Sequence, residues 1–221
     1  MYKTEPHLHV CEVSPCSKID AREMVKQYSN AGYHTVFVPD HLKRVFFDKL
    51  GDIPWEEKTA RFLSGYEIAK KAGYEYGVNV ILSAELMLNE SPNHYLLYGI
   101  DKAFLDRSKD MFDMSISEFY RYAKKNGVTV IQAHPYRDGK TIPVDAAYVD
   151  AIEVFNSNPR HENHTEKAFA FAKEYGLPMT AGSVSHRHEV ISRSGIVSSC
   201  EVKNAEDYVR LIMNGDFKII R

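Results

Sequence analysis

His34-Thr35-Val36-Phe37-Val38-Pro39-Asp40-His41 decides how this chain is read. A β-branched, apolar run bounded by proline has the signature of a buried strand, and it delivers an aspartate and a histidine at its carboxyl end. The arrangement recurs in both directions along the chain. Upstream stands His7-Leu8-His9. Downstream, the apolar run 78–84 leads into Glu85, His94 stands before a short run at 95–98, residues 128–133 lead into His134-Pro135, and residues 177–181 hand over to Gly182-Ser183-Val184-Ser185-His186. Neutral imidazoles and carboxylates are ligands of borderline divalent metals. Groups spread from His7 to His186 meet only if the strand ends carrying them meet, which is the geometry of a barrel-like metal hydrolase.

Between the strands the helical period takes over. Residues 21–31 form the first helix, with Asp20 placed to cap its free amides, Glu23 to answer three residues on, and Gly32 to end it. Residues 57–72 carry Ala60, Leu63, Tyr66 or Glu67, and Ala69 or Lys70 at helical spacing before Gly73, and Ser115 with Glu118 opens a helix that runs to Lys125. Two more helices are expected at 162–175 and 205–213, and short strands at 151–155 and 217–220. Alternating strands and helices predict a parallel sheet with helices outside and functional groups at the carboxyl ends of the strands. No linker-like or low-complexity stretch divides the chain, so residues 1–221 are read as one domain.

Composition narrows the function. With 44% apolar residues in 221 the chain can bury one sizeable core. A formal net charge of -2 and no long Lys/Arg run argue against a duplex nucleic-acid partner. No basic-plus-apolar leader follows Met1 and no stretch approaches the ~20 apolar residues of a membrane span, so a cytoplasmic protein without membrane contact is expected. Cys11, Cys16 and Cys200 are an odd set, consistent with free thiols in a reducing compartment.

Taken in order, His7-Leu8-His9, Pro39-Asp40-His41, Glu85 with His94, Ala133-His134-Pro135 and Gly182-Ser183-Val184-Ser185-His186 resemble the successive motifs of the PHP (polymerase and histidinol phosphatase) family. The resemblance extends to Glu153-Val154-Phe155-Asn156 and to Arg193-Ser194-Gly195-Ile196. It implies an α/β fold, a distorted seven-stranded (β/α) TIM-like barrel of the PHP type. It also implies two to three divalent ions (zinc, iron or manganese), phosphate-ester hydrolysis by a metal-bound hydroxide, and metal ligands at His7, His9, His41, Glu85, His94, His134 and His186.

Three positions depart from the family pattern. Val184 stands where relatives usually have a ligating aspartate, Pro6 where an aspartate usually precedes the first histidine, and Glu12, Ser14, Pro15 and Cys16 where many relatives place a ligating Asp or His. Valine neither ligates a metal nor accepts a proton. Glu12 is therefore a candidate for a compensating oxygen and joins the metal set, and Cys16 could supply a thiolate that favours zinc.

The residues make a physical case of their own. Residues i and i+2 of a strand share a face, so His7 and His9 can reach one ion while Leu8 packs the other way. A carboxylate such as Glu85 can bridge paired ions that clamp a phosphoryl group, which leaves no need for a protein nucleophile. Arg137 and Arg187 adjoin motifs and are the candidate phosphate-binding side chains, whereas Arg160 reads as an ordinary surface arginine. His34, His161, His164 and His188 read as ordinary hydrogen-bonded histidines. Asp40 is either a carboxylate orienting a ligand ring or a turn residue, and Gly182 and Ser183 are assigned to a sharp backbone turn.

Three functions are compatible with this pattern. The first is a metal-dependent phosphoesterase acting on a small phosphorylated metabolite. The second keeps the site but cleaves an amide or a nucleotide diester. The third is a metal-binding regulatory domain without turnover, motivated by Val184. Oligomeric state is not encoded in any of these features.

Overall fold

A computed structural model describes all of residues 1–221. In chain order the elements are β1 (Tyr2–Glu5), α1 (Ala21–Asn30), β2 (Thr35–Leu42), α2 (Arg44–Asp48), α3 (Trp55–Phe62), α4 (Ser64–Tyr76), β3 (Asn79–Met87), β4 (His94–Tyr98) and α5 (Lys102–Arg107). There follow α6 (Ile116–Lys125), β5 (Thr129–Ala133), β6 (Ala151–Asn156), α7 (Thr165–Glu174), β7 (Met179–Gly182), β8 (Gly195–Ser198), α8 (Ala205–Asn214) and β9 (Phe217–Ile220). No helix is long and apolar enough to cross a membrane, and all three cysteines are free.

One sheet of nine strands, in the order β7-β6-β5-β4-β3-β2-β1-β8-β9, wraps into a nearly closed barrel. The expected count of seven is exceeded by the hairpin β8–β9, which extends the sheet beyond β1. Nor is the sheet all parallel. β4 runs antiparallel to both β3 and β5, and β8 antiparallel to β1. The cause is local: β3 does not stop at Ala84 but continues through Glu85 to Met87, then turns back directly, pairing Met87 with His94 and Glu85 with Leu96. A short return of this kind leaves no room for a crossover helix, so the two strands must be antiparallel.

Two other boundaries differ from the sequence pattern. β2 runs through Pro39 to Leu42, because β1 pairs only with Thr35 and Val36 and beyond them β2 has no neighbour on that side to require the missing N–H. The helix expected over 57–72 is two, α3 and α4, meeting at Leu63. Two residues on, a Cβ at Gly65 would stand 2.6 Å from Val10 Cγ2 and 3.0 Å from Asp40 Oδ2, so the second helix passes too close to the loop after β1 for any larger residue.

The first helix begins as its sequence suggests, with the Asp20 carboxylate accepting from the Glu23 N–H at 2.8 Å. Glu23 does not reciprocate; its carboxylate accepts from Gln27 instead. In α6 both halves of the capping box form between Ser115 and Glu118.

Strand alternation divides the core in two. On β2, Val36 and Val38 pack outward with Ala69 and Ala72 of α4, while Phe37 faces the interior with Leu96, Tyr98 and Ile131. Helix α8 closes that end of the barrel with Tyr208, Leu211 and Ile212. The rings of Phe37, Tyr98 and Tyr208 lie 4.7–5.1 Å apart and form an aromatic floor. Because side chains repeat every second residue, the positions above this floor on the inner face are His41 on β2, Glu85 on β3, His94 on β4 and Glu153 on β6.

The barrel closes beyond the ends of β1 and β7. A parallel bridge pairs Leu8 with Ser185, with the His9 N–H donating to the Ser185 carbonyl at 3.1 Å and the Ser185 N–H to the His7 carbonyl at 3.4 Å. The two segments that complete the closure are therefore the ones that carry His7, His9 and His186.

Candidate metal centre

Seven of the eight expected ligands converge on the inner face, with Glu85 at the middle. Its Oε1 lies 2.9 Å from His94 Nδ1, 3.0 Å from His134 Nε2 and 3.4 Å from His7 Nε2, and its Oε2 lies 2.5 Å from His41 Nδ1 and 3.6 Å from His9 Nε2. His186 joins by stacking on His9, ring centroids 4.5 Å apart and planes 7° from parallel. Three overlapping sets have ligand atoms mutually within 4.8 Å: His9, His41 and His186; His7, His9 and Glu85; and His41, Glu85 and His94. Glu12 is elsewhere. Its carboxylate accepts from the Ala21 N–H at 3.0 and 3.1 Å and holds the start of α1, so it is not available to the cluster.

Buried groups of this kind are costly unless something satisfies them. His7 Nε2, both ring nitrogens of His9, His134 Nδ1 and His186 Nε2 are buried without a hydrogen-bond partner. Burial, reinforced by the neighbouring His41 and His186, holds His9 well below the ordinary histidine pKa, and burial with the nearby Arg137 does the same to His134. Burial and the neighbouring His41 bring His186 down to about 3. Glu85 loses stability as an anion through burial, yet the ring of histidines led by His94 and His41 outweighs this and keeps it well below the usual carboxylate range. The unprotonated imidazole lone pairs of His9, His134 and His186 beside a fixed carboxylate, with unmet polar atoms turned inward, are the kind of donor set that divalent cations require.

Two further carboxylates, neither picked out as functional from sequence, brace this set. Glu153 Oε1 accepts from His7 Nδ1 at 2.8 Å, and its Oε2 accepts from the His134 N–H and the Asn156 side-chain amide, each at 3.0 Å. This fixes the His7 tautomer and leaves Nε2 aimed at Glu85. Burial alone would lower the His7 pKa, but Glu153 and Glu85 outweigh it and raise the ring to about 9, so a cation ligated by Nε2 would displace the proton this ring otherwise shares with Glu85. Glu5 accepts from the His7 N–H at 2.8 Å, the Ser183 N–H at 3.0 Å and the Tyr28 hydroxyl at 2.9 Å, and burial raises its own pKa to about 7. A signal for Glu153 was present: a carboxylate two residues after the inward-facing Ala151, inside an otherwise apolar strand.

The supporting backbone explains several other residues. Asp40 orients no ring; it accepts from the Val10 N–H at 3.0 Å and the Ser14 hydroxyl at 2.7 Å, tying the loop after His9 to β2. Gly182 is required for space rather than for a turn, because a Cβ there would stand 2.5 Å from His7 Cβ and 2.9 Å from Glu153 Oε1. Val184 is fully buried at φ +47°, a left-handed conformation that β-branched residues rarely adopt, and His134 also has positive φ, +31°.

Above the cluster opens a cavity of about 320 Å³, its wall including His41, His94, His134 and His186 and its rim Lys43, Arg137, Lys140 and Arg160. Arg137 is fixed at one end, Nε donating to Asn163 Oδ1 at 3.0 Å, while one terminal nitrogen is buried with no partner. Arg187 does not line this cavity, whereas Arg160, read as a surface residue, does. Cys16 reaches the wall with its sulfur 3.1 Å from His41 Nε2. Of the histidines set aside, His161 also lines the cavity, its Nδ1 2.7 Å from the Asp138 carboxylate.

No protein-family model and no curated protein matches this sequence. Solved structures do. A two-domain protein from Bacteroides vulgatus containing a predicted PHP-like metal-dependent phosphoesterase superposes with a TM-score of 0.70 at 14% identity. The match covers 99% of this chain but 64% of that one, so the present chain spans under two thirds of its length. The lesion-specific endonuclease EndoQ from Pyrococcus furiosus gives 0.64 at 14% identity, over 99% of this chain and 57% of that one. An amidohydrolase from Chromobacterium violaceum with bound sulfate gives 0.57 at 14% identity, over 99% of this chain and 98% of that one. The architecture is thus shared with hydrolases. More narrowly, its fold is that of the PHP-like metal-dependent phosphoesterases, as the order of motifs along the sequence implies.

Proposed function

We propose that this chain is a metal-dependent phosphoesterase that releases phosphate from a small phosphorylated metabolite. The ligands assigned are His7, His9, His41, Glu85, His94, His134 and His186, holding two to three ions of zinc, iron or manganese. Divalent ions bound there supply Lewis-acid activation of water and neutralise charge on the phosphoryl oxygens. Glu85, with histidine nitrogens at both oxygens, would be the carboxylate shared between ions held there. Glu153 keeps His7 in one tautomer, and Glu5 fixes the backbone of His7 against Ser183.

The observation that carries the reading is Arg137. A guanidinium anchored at one end, with a buried, unpaired nitrogen at the other, lines a cavity floored by the histidine cluster. An anionic group with oxygens to spare satisfies it, and a phosphoryl group does so while presenting phosphorus to the cluster. Lys43, Lys140 and Arg160 add positive charge around the same opening. The sulfate in the Chromobacterium violaceum neighbour is an anion of the same shape.

Val184 favours a second reading, a metal-binding domain without turnover, since no carboxylate stands at that position. One panel separates the two. Protein loaded with Mn, Zn or Fe is assayed on 4-nitrophenyl phosphate, bis(4-nitrophenyl) phosphate and an acyl 4-nitroanilide. Phosphate release from the monoester, abolished by chelator and restored by metal, is the expected result. Preference for the diester or the anilide reassigns the bond, and full metal occupancy without turnover of any of the three supports the binding role.

A further inference from the structure

Beside the polar cavity lies a second one of about 260 Å³ with a different lining. Its walls are Val13 and Pro15 from the loop after His9, and Val45 and Phe46 from α2. The two cavities adjoin, with Cys16, His41 and Lys43 lining both. The main cavity, about 320 Å³, is at the low end of the range of about 300–1,000 Å³ typical of sites that enclose a small organic ligand, and the side cavity adds room for a ring next to it.

The contrast in lining is the informative part. The main cavity offers imidazoles and cations, which suit a phosphoryl group. The side cavity offers aliphatic and aromatic carbon, with Lys43 at the junction and Lys49 also in its wall. A lone exposed valine needs no explanation, but Val45, 54% exposed, stands with Phe46 in a cavity that reaches His41.

Building on the phosphoesterase reading, we infer that the side cavity holds the leaving group, and that the substrate is the phosphate ester of an aromatic alcohol. With the phosphoryl group at the histidines, the ester oxygen falls at the boundary marked by His41 and Lys43 and the ring lies among Val13, Pro15, Val45 and Phe46. An aromatic ring buries its faces against these carbons and accepts the ammonium groups of Lys43 and Lys49 over its π-system. A polyol in the same place leaves its hydroxyls without partners. In the reaction the aryl ester P–O bond breaks, the oxygen of water forms the new P–O bond, and a proton from that water ends on the departing aryloxide.

The test compares ring and non-ring ligands on metal-loaded protein, wild type and Val45→Asp, with Val45→Ala as a milder second variant and thermal melts to confirm folding. Binding is measured by calorimetry with phenylphosphonate and methylphosphonate, which are not hydrolysed, and turnover with 2-naphthyl phosphate and glycerol 2-phosphate. Aryl phosphates are intrinsically better leaving groups, so the decisive quantity is the change in selectivity between proteins. Wild type is expected to prefer phenylphosphonate by about tenfold or more, with most of that preference lost in Val45→Asp, and the naphthyl-to-glycerol ratio of kcat/KM falling in parallel by about tenfold. No preference in wild type, or an undiminished one in both variants, overturns the inference. Hydrolysis without ring selectivity does so too and leaves the phosphoesterase reading standing. Ring-selective phosphonate binding without hydrolysis of any ester supports the side cavity and removes the phosphoesterase reading.

Discussion

Glu153 and His7, 146 positions apart in the chain, meet at 2.8 Å between Oε1 and Nδ1 with both side chains fully buried. The contact sets the tautomer of His7 and, through the other oxygen of Glu153, the backbone of His134. Replacing Glu153 by Gln keeps the shape and removes the charge that stabilises the Nδ1 proton. Metal affinity is expected to fall by about 10–100-fold, the usual effect of losing a partner of this kind. Competition with a chromogenic chelator measures it, and an unchanged affinity would show that His7 is oriented without Glu153.

Glu85 is the one carboxylate shared by five histidines. Glu85→Gln is expected to lose bound metal and to lower turnover by about tenfold or more, because a neutral amide cannot hold two cations together. Elemental analysis of protein purified without chelator gives the answer, and wild-type metal content in the variant would remove Glu85 from the bridging position. Ions bound only to the folded state also stabilise it, so chelator should lower the Tm of wild type more than that of this variant.

At Gly182 the prediction concerns space. A methyl group there meets His7 Cβ at 2.5 Å and the Glu153 carboxylate at 2.9 Å, so Gly182→Ala should cost roughly 1–3 kcal/mol, the range for overpacking a core. Denaturant midpoints at constant m-value report it. A neutral outcome would mean that His7 and Glu153 can separate without loss.

Val184 combines full burial with a left-handed backbone. Asp tolerates that conformation far better than Val, which offsets roughly 1–3 kcal/mol of strain, while a buried carboxylate without a cation costs a comparable amount. The sign therefore depends on metal. Val184→Asp should be near neutral or destabilising in chelator and should show a larger rise in Tm than wild type when Mn or Zn is added. Equal metal-dependent shifts in the two proteins would place residue 184 outside the reach of any bound ion.

Most of this site can be seen in the sequence because strand periodicity is simple. Phe37 and His41, or Leu96 and His94, share a face by even spacing, so an apolar residue deep in the barrel predicts the direction of the polar one nearer its mouth. Glu153 obeyed the same rule and was missed because it falls inside a strand rather than at its end. Glu12 was misread for the opposite reason: it lies in a loop, where spacing says nothing about direction, and the free amide at the start of α1 claimed it. The reversal of β4 was hidden because a five-residue apolar strand reads the same in either direction, and only the short return from Met87 to His94 decides it. Arg160 shows the limit for surface charge, since its place on the cavity rim is set by the loop after β6 and by no local pattern.

The pairing of Leu8 with Ser185 gives the barrel an unusual weak point. Elsewhere its neighbouring strands are joined by ladders of two or more residue pairs, but here the wall is completed by one isolated bridge between segments that also bear His7, His9 and His186. Parting that seam breaks two backbone hydrogen bonds, from the His9 N–H to the Ser185 carbonyl and from the Ser185 N–H to the His7 carbonyl. Ions held by His7 and His9 on one side and His186 on the other would act as rivets across it, and occupancy is then expected as slower amide exchange at His9 and Ser185, ahead of any change in the helices. Filling of the proposed centre and rigidity of the seam are therefore expected to rise together.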